Sequence, residues 1–400
     1  MTEKFKYLFI ILFIGCSGQI ASDIYAPSLP SIAHIMGVNI NTVQFSMAVY
    51  LFGMAIGQLI YGPISEGIGR KKPLMLGLII LLIGSLICML ATNIDVLILG
   101  RVIQGLGAGA MTTLWRSMFR DVFAKDEIAK YGSYMTMGVT FIIPAGPALG
   151  GYLQHYFGWR SVFLFMLVYV FIMFVVTKFY LPETSKDHHP ERLKLSFLKT
   201  SLQTLFSSRL FVGLIAIVFI NYGAYFSWFV VAPVVLIKHL GVSPVAFGWI
   251  NLIGGIASIG LGGIINSRFV TRYGSANLLR FGFVVMFIGA FFLLFGYVFF
   301  QQNVWLIVIP VFIFFLGCSF VFTNAFAMAF IPFGQIAGIT SAVYAFIQTS
   351  GGAVLGTIVA HLPTFSQLPL VIIYLLCPII LWLVFEFVQT KNTSLANQNT

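Results

Sequence analysis

Long, unbroken apolar runs separated by short polar gaps set the pattern of this chain. Runs of spanning length fall at about 6–27, 42–64, 73–92, 95–116, 130–152, 160–181, 210–236, 245–266, 279–300, 304–328, 334–360 and 369–389. The runs are too long and too continuously apolar for the strands of a membrane barrel, which alternate with period two. Inside hydrocarbon every backbone polar group needs a partner within its own segment, which leaves helices. About 20 residues cross the apolar core, so the pattern predicts an all-α integral membrane protein with twelve transmembrane helices. The longest polar stretch, Pro182 to Ser208, divides them six and six. The expected organisation is an N-terminal six-helix bundle (1–182), a cytoplasmic linker (183–208), a C-terminal six-helix bundle (209–390) and a cytoplasmic tail (391–400).

Composition removes the soluble alternatives. Hydrophobic residues make up 59% of the chain and charged residues 8%, against about 25% charged in an ordinary soluble domain. The net charge of +11 would suggest nucleic acid in a soluble protein. Here the basic residues sit in the gaps between spans. With both termini cytoplasmic, every Lys and Arg except Arg101, Arg160 and Lys238 falls on the cytoplasmic side, so the charge reads as membrane orientation and no nucleic-acid partner is expected. The start, MTEKFKYLFIILFIG, has no convincing cleavage site and reads as a retained first span. Cys16, Cys88, Cys318 and Cys377 lie within apolar runs and read as free buried thiols. Asp187, His188 and His189 lack a second ligand cluster that would complete a metal site. They read as solvated linker, and no cofactor is expected.

The halves echo each other. GQLIYGPISEGIGRKK ends the second helix and GLGGIINSRFVTRYG ends the eighth, each with glycines followed by basic residues. Such repeats mark secondary transporters, whose sites lie near the midplane between the repeats. Gly62-Pro63-Ile64-Ser65-Glu66-Gly67-Ile68-Gly69-Arg70-Lys71 resembles the loop between helices two and three of the major facilitator superfamily, with Glu66 in place of the usual Asp and Gly67 where Arg is common. The resemblance implies a conformational switch in which the acid approaches the N-terminus of a helix of the other half, where a carboxylate is favoured by about 0.3–1 kcal/mol. Alternatively, Arg70, Lys71 and Lys72 serve only as a topology anchor. LILGRVIQGLGAG, from Leu97 to Gly109, resembles the fourth-helix motif of proton-coupled members. GVTFIIPAGPALGG, from Gly138 to Gly151, resembles the fifth-helix signature of drug:proton antiporters, centred on Gly146, Pro147, Gly150 and Gly151. The segment Asp23-Ile24-Tyr25-Ala26-Pro27-Ser28-Leu29-Pro30 and the run from Ala337 to Ala342, with Gln348 and Gly351-Gly352, resemble helices one and eleven of the Bcr/CflA multidrug resistance transporters. The resemblance implies the major facilitator fold, a bacterial inner-membrane location, a monomer, and exchange of a small-molecule drug against protons. Phenicols, bicyclomycin-like compounds and sulfonamides are the drug classes implied.

Among eleven acidic residues, Asp23 is the one read as lying well inside a span, with Glu66 assigned to the loop and Glu386 near the end of helix twelve. A charge at bilayer depth costs at least about 2.5–3.5 kcal/mol, which suggests a use. At 1.5 Å per residue Asp23 lies about 25 Å beyond Lys6, and Arg101 about 9 Å in from Asp95. The two depths agree, so Asp23 and Arg101 are expected to share one polar cavity. They form either a proton-coupling pair or a static clip between helices one and four. Protons and substrate would compete for Asp23. Gln19, one turn earlier, and Asn324 on helix ten are further cavity candidates. Tyr222, Tyr225, Phe226 and Phe229 share one face of helix seven, read first as a packing or lipid-facing stripe, with Tyr222 and Tyr225 as substrate candidates.

Three other functions compete with this reading. A proton-coupled nutrient uptake permease on the same fold is the alternative to export. A lipid-directed enzyme would need clustered catalytic groups, and His34, His155, His188, His189, His239 and His361 are scattered in loops and at span edges. ATP-driven transport would need a GxxxxGK[ST] loop, which is absent from the sequence.

Overall fold

The computed structural model describes residues 3–124, 126–185, 190–300, 303–363 and 366–398. Lys125, Lys186, Asp187, His188 and His189 lie outside the described residues, as do the side chains of the 391–400 tail. The chain folds as α1 (Glu3–Asp23), α2 (Leu29–Met36), α3 (Ile40–Ile68), α4 (Lys71–Leu90), α5 (Ile94–Val122), α6 (Ile128–Phe157), α7 (Arg160–Tyr180), α8 (Leu195–Ser207), α9 (Arg209–Ala232), α10 (Pro244–Phe299), α11 (Val304–Phe330), α12 (Ala337–Ala360) and α13 (Leu368–Gln398). Among the described residues eleven helices are long and apolar enough to cross a membrane. One of these, the 56-residue α10, breaks at Gly274. Its φ of 76° belongs to the left-handed region that glycine adopts without strain. Before the break, Gly254 and Gly262 meet Phe312 and Ser319 of α11; after it, Gly282 and Gly296 meet Gly317 and Leu306. The first arm therefore runs parallel to α11 and the second antiparallel, so α10 crosses twice and the chain makes twelve crossings.

Polar caps explain where several spans begin. The side chains of Asn39, Asn93, Ser208, Ser243 and Asn303 each accept a backbone N–H from the first turn of α3, α5, α9, α10 and α11, which satisfies donors a helix cannot pair internally. Apolar side chains such as Leu76, Ile83, Phe171, Phe291 and Phe299 stay exposed on the outer faces, a surface suited to lipid and not to water. All four cysteines are buried and free.

Small residues fix the interior. A Cβ on Gly105 would lie 2.1 Å from the Tyr50 carbonyl oxygen, and one on Gly107 2.3 Å from the Leu81 nitrogen. Thus α5 is packed backbone to backbone between α3 and α4, as membrane helices pack where bulky side chains are absent. Helices of the first and last six meet along two seams, α3 against α12 and α6 against α10.

The segment 183–208 carries a 3-10 turn at Pro190–Leu193 and the helix α8. Two expectations are corrected. Glu66 is a residue of the last turn of α3, not of the following loop, and is 7% exposed. Finally, α5 runs six residues past the expected end of the fourth span, which carries Arg116 into the helix interior.

Candidate functional site

Asp23 is the last residue of α1, where the chain turns through Tyr25 into α2. Its side chain is buried at 1% exposure. The Gln19 amide, one turn earlier, donates to both carboxylate oxygens at 3.0 Å. The Gln19 carbonyl oxygen accepts from the Tyr222 hydroxyl of α9 at 3.1 Å. A polar chain, Tyr222–Gln19–Asp23, therefore connects the first helix to the seventh span. Asp23 also borders a very small void lined by Pro144 and Pro147 of α6, Tyr225 and Phe229 of α9, and Asn251 of α10.

The α6 signature is built around this acid. A Cβ on Gly146 would approach the Asp23 Cβ at 3.9 Å. On Gly150 it would lie 2.0 Å from the Ile24 carbonyl oxygen, and on Gly151 2.2 Å from that of Pro244. Gly150 thus lets α6 touch the backbone just past Asp23, and Gly151 lets α6 touch the start of α10. The prolines at 144 and 147 remove two backbone donors within this stretch.

Arg101 is fully buried at the same level but does not pair with Asp23. Its Nη1 donates to the Ala21 carbonyl at 3.0 Å and to Gln104 Oε1 at 2.5 Å. The guanidinium lies 4.1 Å from the ring centroid of Tyr50 and 4.7 Å from that of Tyr25, a cation–π sandwich. No Asp23 oxygen lies within ion-pair distance; the α1 backbone carbonyl of Ala21 takes the hydrogen bond expected of the carboxylate. Nor do Asn324 and its neighbours open onto the centre. The Asn324 amide donates to Asn266 Oδ1 at 2.7 Å, clipping α11 to α10. The aromatic stripe of α9 turns inward: Phe226 and Phe229 are buried, Tyr225 packs at a tilt against Phe315 with ring centroids 4.5 Å apart, and Tyr222 reaches the cavity.

That cavity, of about 150 Å³, is lined by Gln19, Gln58, Thr112, Trp115, Arg116, Tyr222 and Gln348 among others. Gln58, Arg116 and Gln348 were not singled out as site residues by sequence. Gln58 and Gln348 are amides inside apolar runs, and Thr112 with Arg116 forms an i, i+4 polar pair continuing α5 beyond 20 residues. Those were the available signals.

The Gly62–Lys71 segment is built at one end of the bundle. Glu66 Oε2 accepts from Arg192 Nη1 at 3.2 Å. The other carboxylate oxygen sits against Gly338, where a Cβ would lie 1.4 Å away. Gly338 is in the first turn of α12, whose N-cap, Ile336, supplies no side-chain hydrogen bond. Gly62 is equally close to α12, with 2.7 Å to the Ala342 Cβ. Arg70 Nε donates to Asp121 at 3.1 Å, its Nη1 to Ser65 at 2.8 Å, and Lys71 Nζ to the Lys178 carbonyl at 3.0 Å. Gly69 takes φ 93° at the turn into α4.

The linker holds this segment, which sequence reasoning missed. Glu183 accepts the backbone N–H groups of Arg70 and Lys71 at 2.8 and 3.0 Å, at the N-terminus of α4. Partial burial pushes the Glu183 carboxyl up, but the N–H donors of Ser185, Arg70 and Lys71 together outweigh it and hold it below the usual carboxylate range. Since the ionised form is the bound one, the cap is complete at neutral pH and is lost as pH falls through that depressed value. Glu183→Ala is expected to cost about 0.5–1 kcal/mol after solvent screening, read as a lower thermal midpoint in detergent that converges with wild type in acid. Equal midpoints at neutral pH would count against the cap.

Twelve crossings, two seams between helix sets and a polar cavity at their centre define a helical membrane transporter. The chain belongs to the Major Facilitator Superfamily, whose family model matches residues 11–390. It is 25% identical over 393 residues to a bicyclomycin resistance protein homolog of Haemophilus influenzae, covering 98% of each chain. It is 26% identical over 364 residues to multidrug resistance protein D of Escherichia coli, covering 90% of each. The partially occluded, inward-open xylose transporter of Escherichia coli shares the fold, with TM-score 0.70 at 16% identity over 96% of this chain and 98% of that one.

Proposed function

We propose that this protein exports small-molecule drugs across a bacterial inner membrane in exchange for protons, by alternating access of two bundles, 1–182 and 209–390, with both termini cytoplasmic. Each chain encloses its own cavity, so a monomer suffices. Names of relatives over nearly the full length of both chains favour drug efflux. The carrying observation is the Tyr222–Gln19–Asp23 chain, which joins a buried carboxyl group to a cavity wall formed by the other bundle. Asp23 takes up and releases the proton as the cavity opens to one side and then the other, and closure seals it from water. Drug in the cavity competes for Gln19 and Tyr222 and thereby senses that charge. Arg101 acts through the Ala21 carbonyl, holding the end of α1 in place. Glu66, Arg70 and Lys71 with Gly62 and Gly69 form the switch segment, and Gly146, Pro147 and Gly150 let α6 move against α1.

Everted vesicles from an efflux-deficient host expressing the protein test this reading. Energised vesicles are expected to accumulate radiolabelled chloramphenicol or another drug to which the host has become resistant, and to lose it when an uncoupler is added. Uncoupler-sensitive accumulation in right-side-out vesicles instead would identify an uptake permease.

A further inference from the structure

One formal charge lines the central cavity, and it is a cation. Arg116 is the only Lys, Arg, Asp or Glu among its lining residues. The guanidinium lies 4.8 Å from the Trp115 ring centroid and 6.0 Å from that of Phe326. Among the described residues its one hydrogen bond is a long 3.5 Å contact from Nη1 to the Thr112 carbonyl of its own helix. No carboxylate of the described residues lies within ion-pair distance of it, unlike Arg70, Arg192 and Arg280, which face Asp121, Glu66 and Glu386. A cation half-buried among apolar rings without a counter-charge has lost part of its hydration, and an anion beside it replaces what water no longer supplies. Gln58, on the same cavity lining, gives its Nε2 to the Thr112 hydroxyl at 3.1 Å. The cavity, about 150 Å³, is of the size that admits a benzene ring, and Trp115 and Tyr222 supply its aromatic walls.

Resting on the transporter reading above, we infer that this cavity selects compact aromatic compounds carrying a negative charge, with Arg116 as their counter-ion. The anion accepts from the guanidinium, and the ring lies against Trp115. Organic cations are disfavoured by the same group.

The test uses purified full-length protein in lipid nanodiscs with no proton gradient. Three matched quenchers of tryptophan fluorescence are titrated at pH 7: 4-nitrobenzoate, 4-nitrobenzamide and 4-nitrobenzylamine, respectively anionic, neutral and cationic. Protein-free nanodiscs correct for partitioning, and Trp115→Phe assigns the signal to the cavity. The anion is expected to bind at least about tenfold more tightly than the cation, the ratio that 1.4 kcal/mol provides. Arg116→Gln is expected to erase that preference and Arg116→Lys to retain most of it. Equal affinities in the wild type, a preference for the cation, no saturable quenching by any probe, or an undiminished preference in Arg116→Gln each overturns the inference. The wild-type comparison alone decides the sign of selectivity, so a poorly folded variant leaves the test intact. Because no gradient is present, failure here does not touch export, which the vesicle assay reads separately.

Discussion

Asp23→Asn is expected to abolish uphill transport while leaving the protein inserted, folded and able to bind drug. One proton moving down 100 mV releases about 2.3 kcal/mol, enough for a roughly 50-fold gradient of an uncharged substrate exchanged one for one. Without a titrating group that gradient falls to unity. The substitution is isosteric, and Gln19 can still bond to the introduced amide in place of the carboxylate, so little stability is at stake. In everted vesicles the variant should therefore equilibrate drug but not concentrate it, and drug addition should no longer release protons. Counterflow, in which external drug drives exit of labelled drug from the vesicle, should persist. Full respiration-driven accumulation by the variant would remove Asp23 from the coupling role. Loss of counterflow as well would point to a damaged cavity, and Asp23→Glu then separates charge from shape.

Gly338→Ala should impair transport about as strongly as removing Glu66, and for the same reason. The added methyl falls on the position of the Glu66 carboxylate oxygen, 1.4 Å away. That atom is the free end of a flexible side chain, so it swings aside at little cost to the fold. What is lost is a negative charge at the first turn of a helix without a side-chain cap, an interaction ranging from about 0.3 to 2 kcal/mol according to burial. The upper value corresponds to a roughly 30-fold change in the equilibrium between states. Gly338→Ala, Glu66→Ala and the double variant should therefore show similar turnover and near-wild-type thermal midpoints. Losses that multiply in the double variant would show that the two positions act separately. Gly62→Ala provides the contrast, because its 2.7 Å neighbour is the backbone-anchored Cβ of Ala342. It should lower the thermal midpoint itself.

The apolar runs were legible because lipid forces every span to be a helix of predictable length, and they located each crossing. Cap residues were legible in principle: Asn39, Asn93, Ser243 and Asn303 stand where polar gaps meet apolar runs. Ends were harder. Nothing in local hydropathy says that α5 continues past 116, since a helix persists beyond the lipid wherever neighbours satisfy it, so the apolar run stops at Arg116 while the helix goes on to Val122. Arg101 reaches the Ala21 carbonyl near the end of α1 but does not pair with the Asp23 carboxylate. Depth follows from rise per residue, but which side chains face each other depends on how α1 is rotated against α5, and Gly18, Ala21, Tyr25 and Tyr50 set that rotation through packing.

By itself the sequence determined an all-helical membrane protein of twelve crossings with one acid buried near the end of the first helix, because the cost of exposing backbone or charge to hydrocarbon is large and local. Tertiary structure alone decided the partners. Asp23 meets Gln19 and the α6 prolines, Arg101 meets two tyrosine rings, Glu183 and Arg192 of the linker meet the switch segment, and Arg116 faces the cavity. Those pairings join residues far apart in the chain, and each is worth little compared with inserting a span. They are therefore selected by close packing at glycine contacts after insertion, which no one-dimensional pattern encodes.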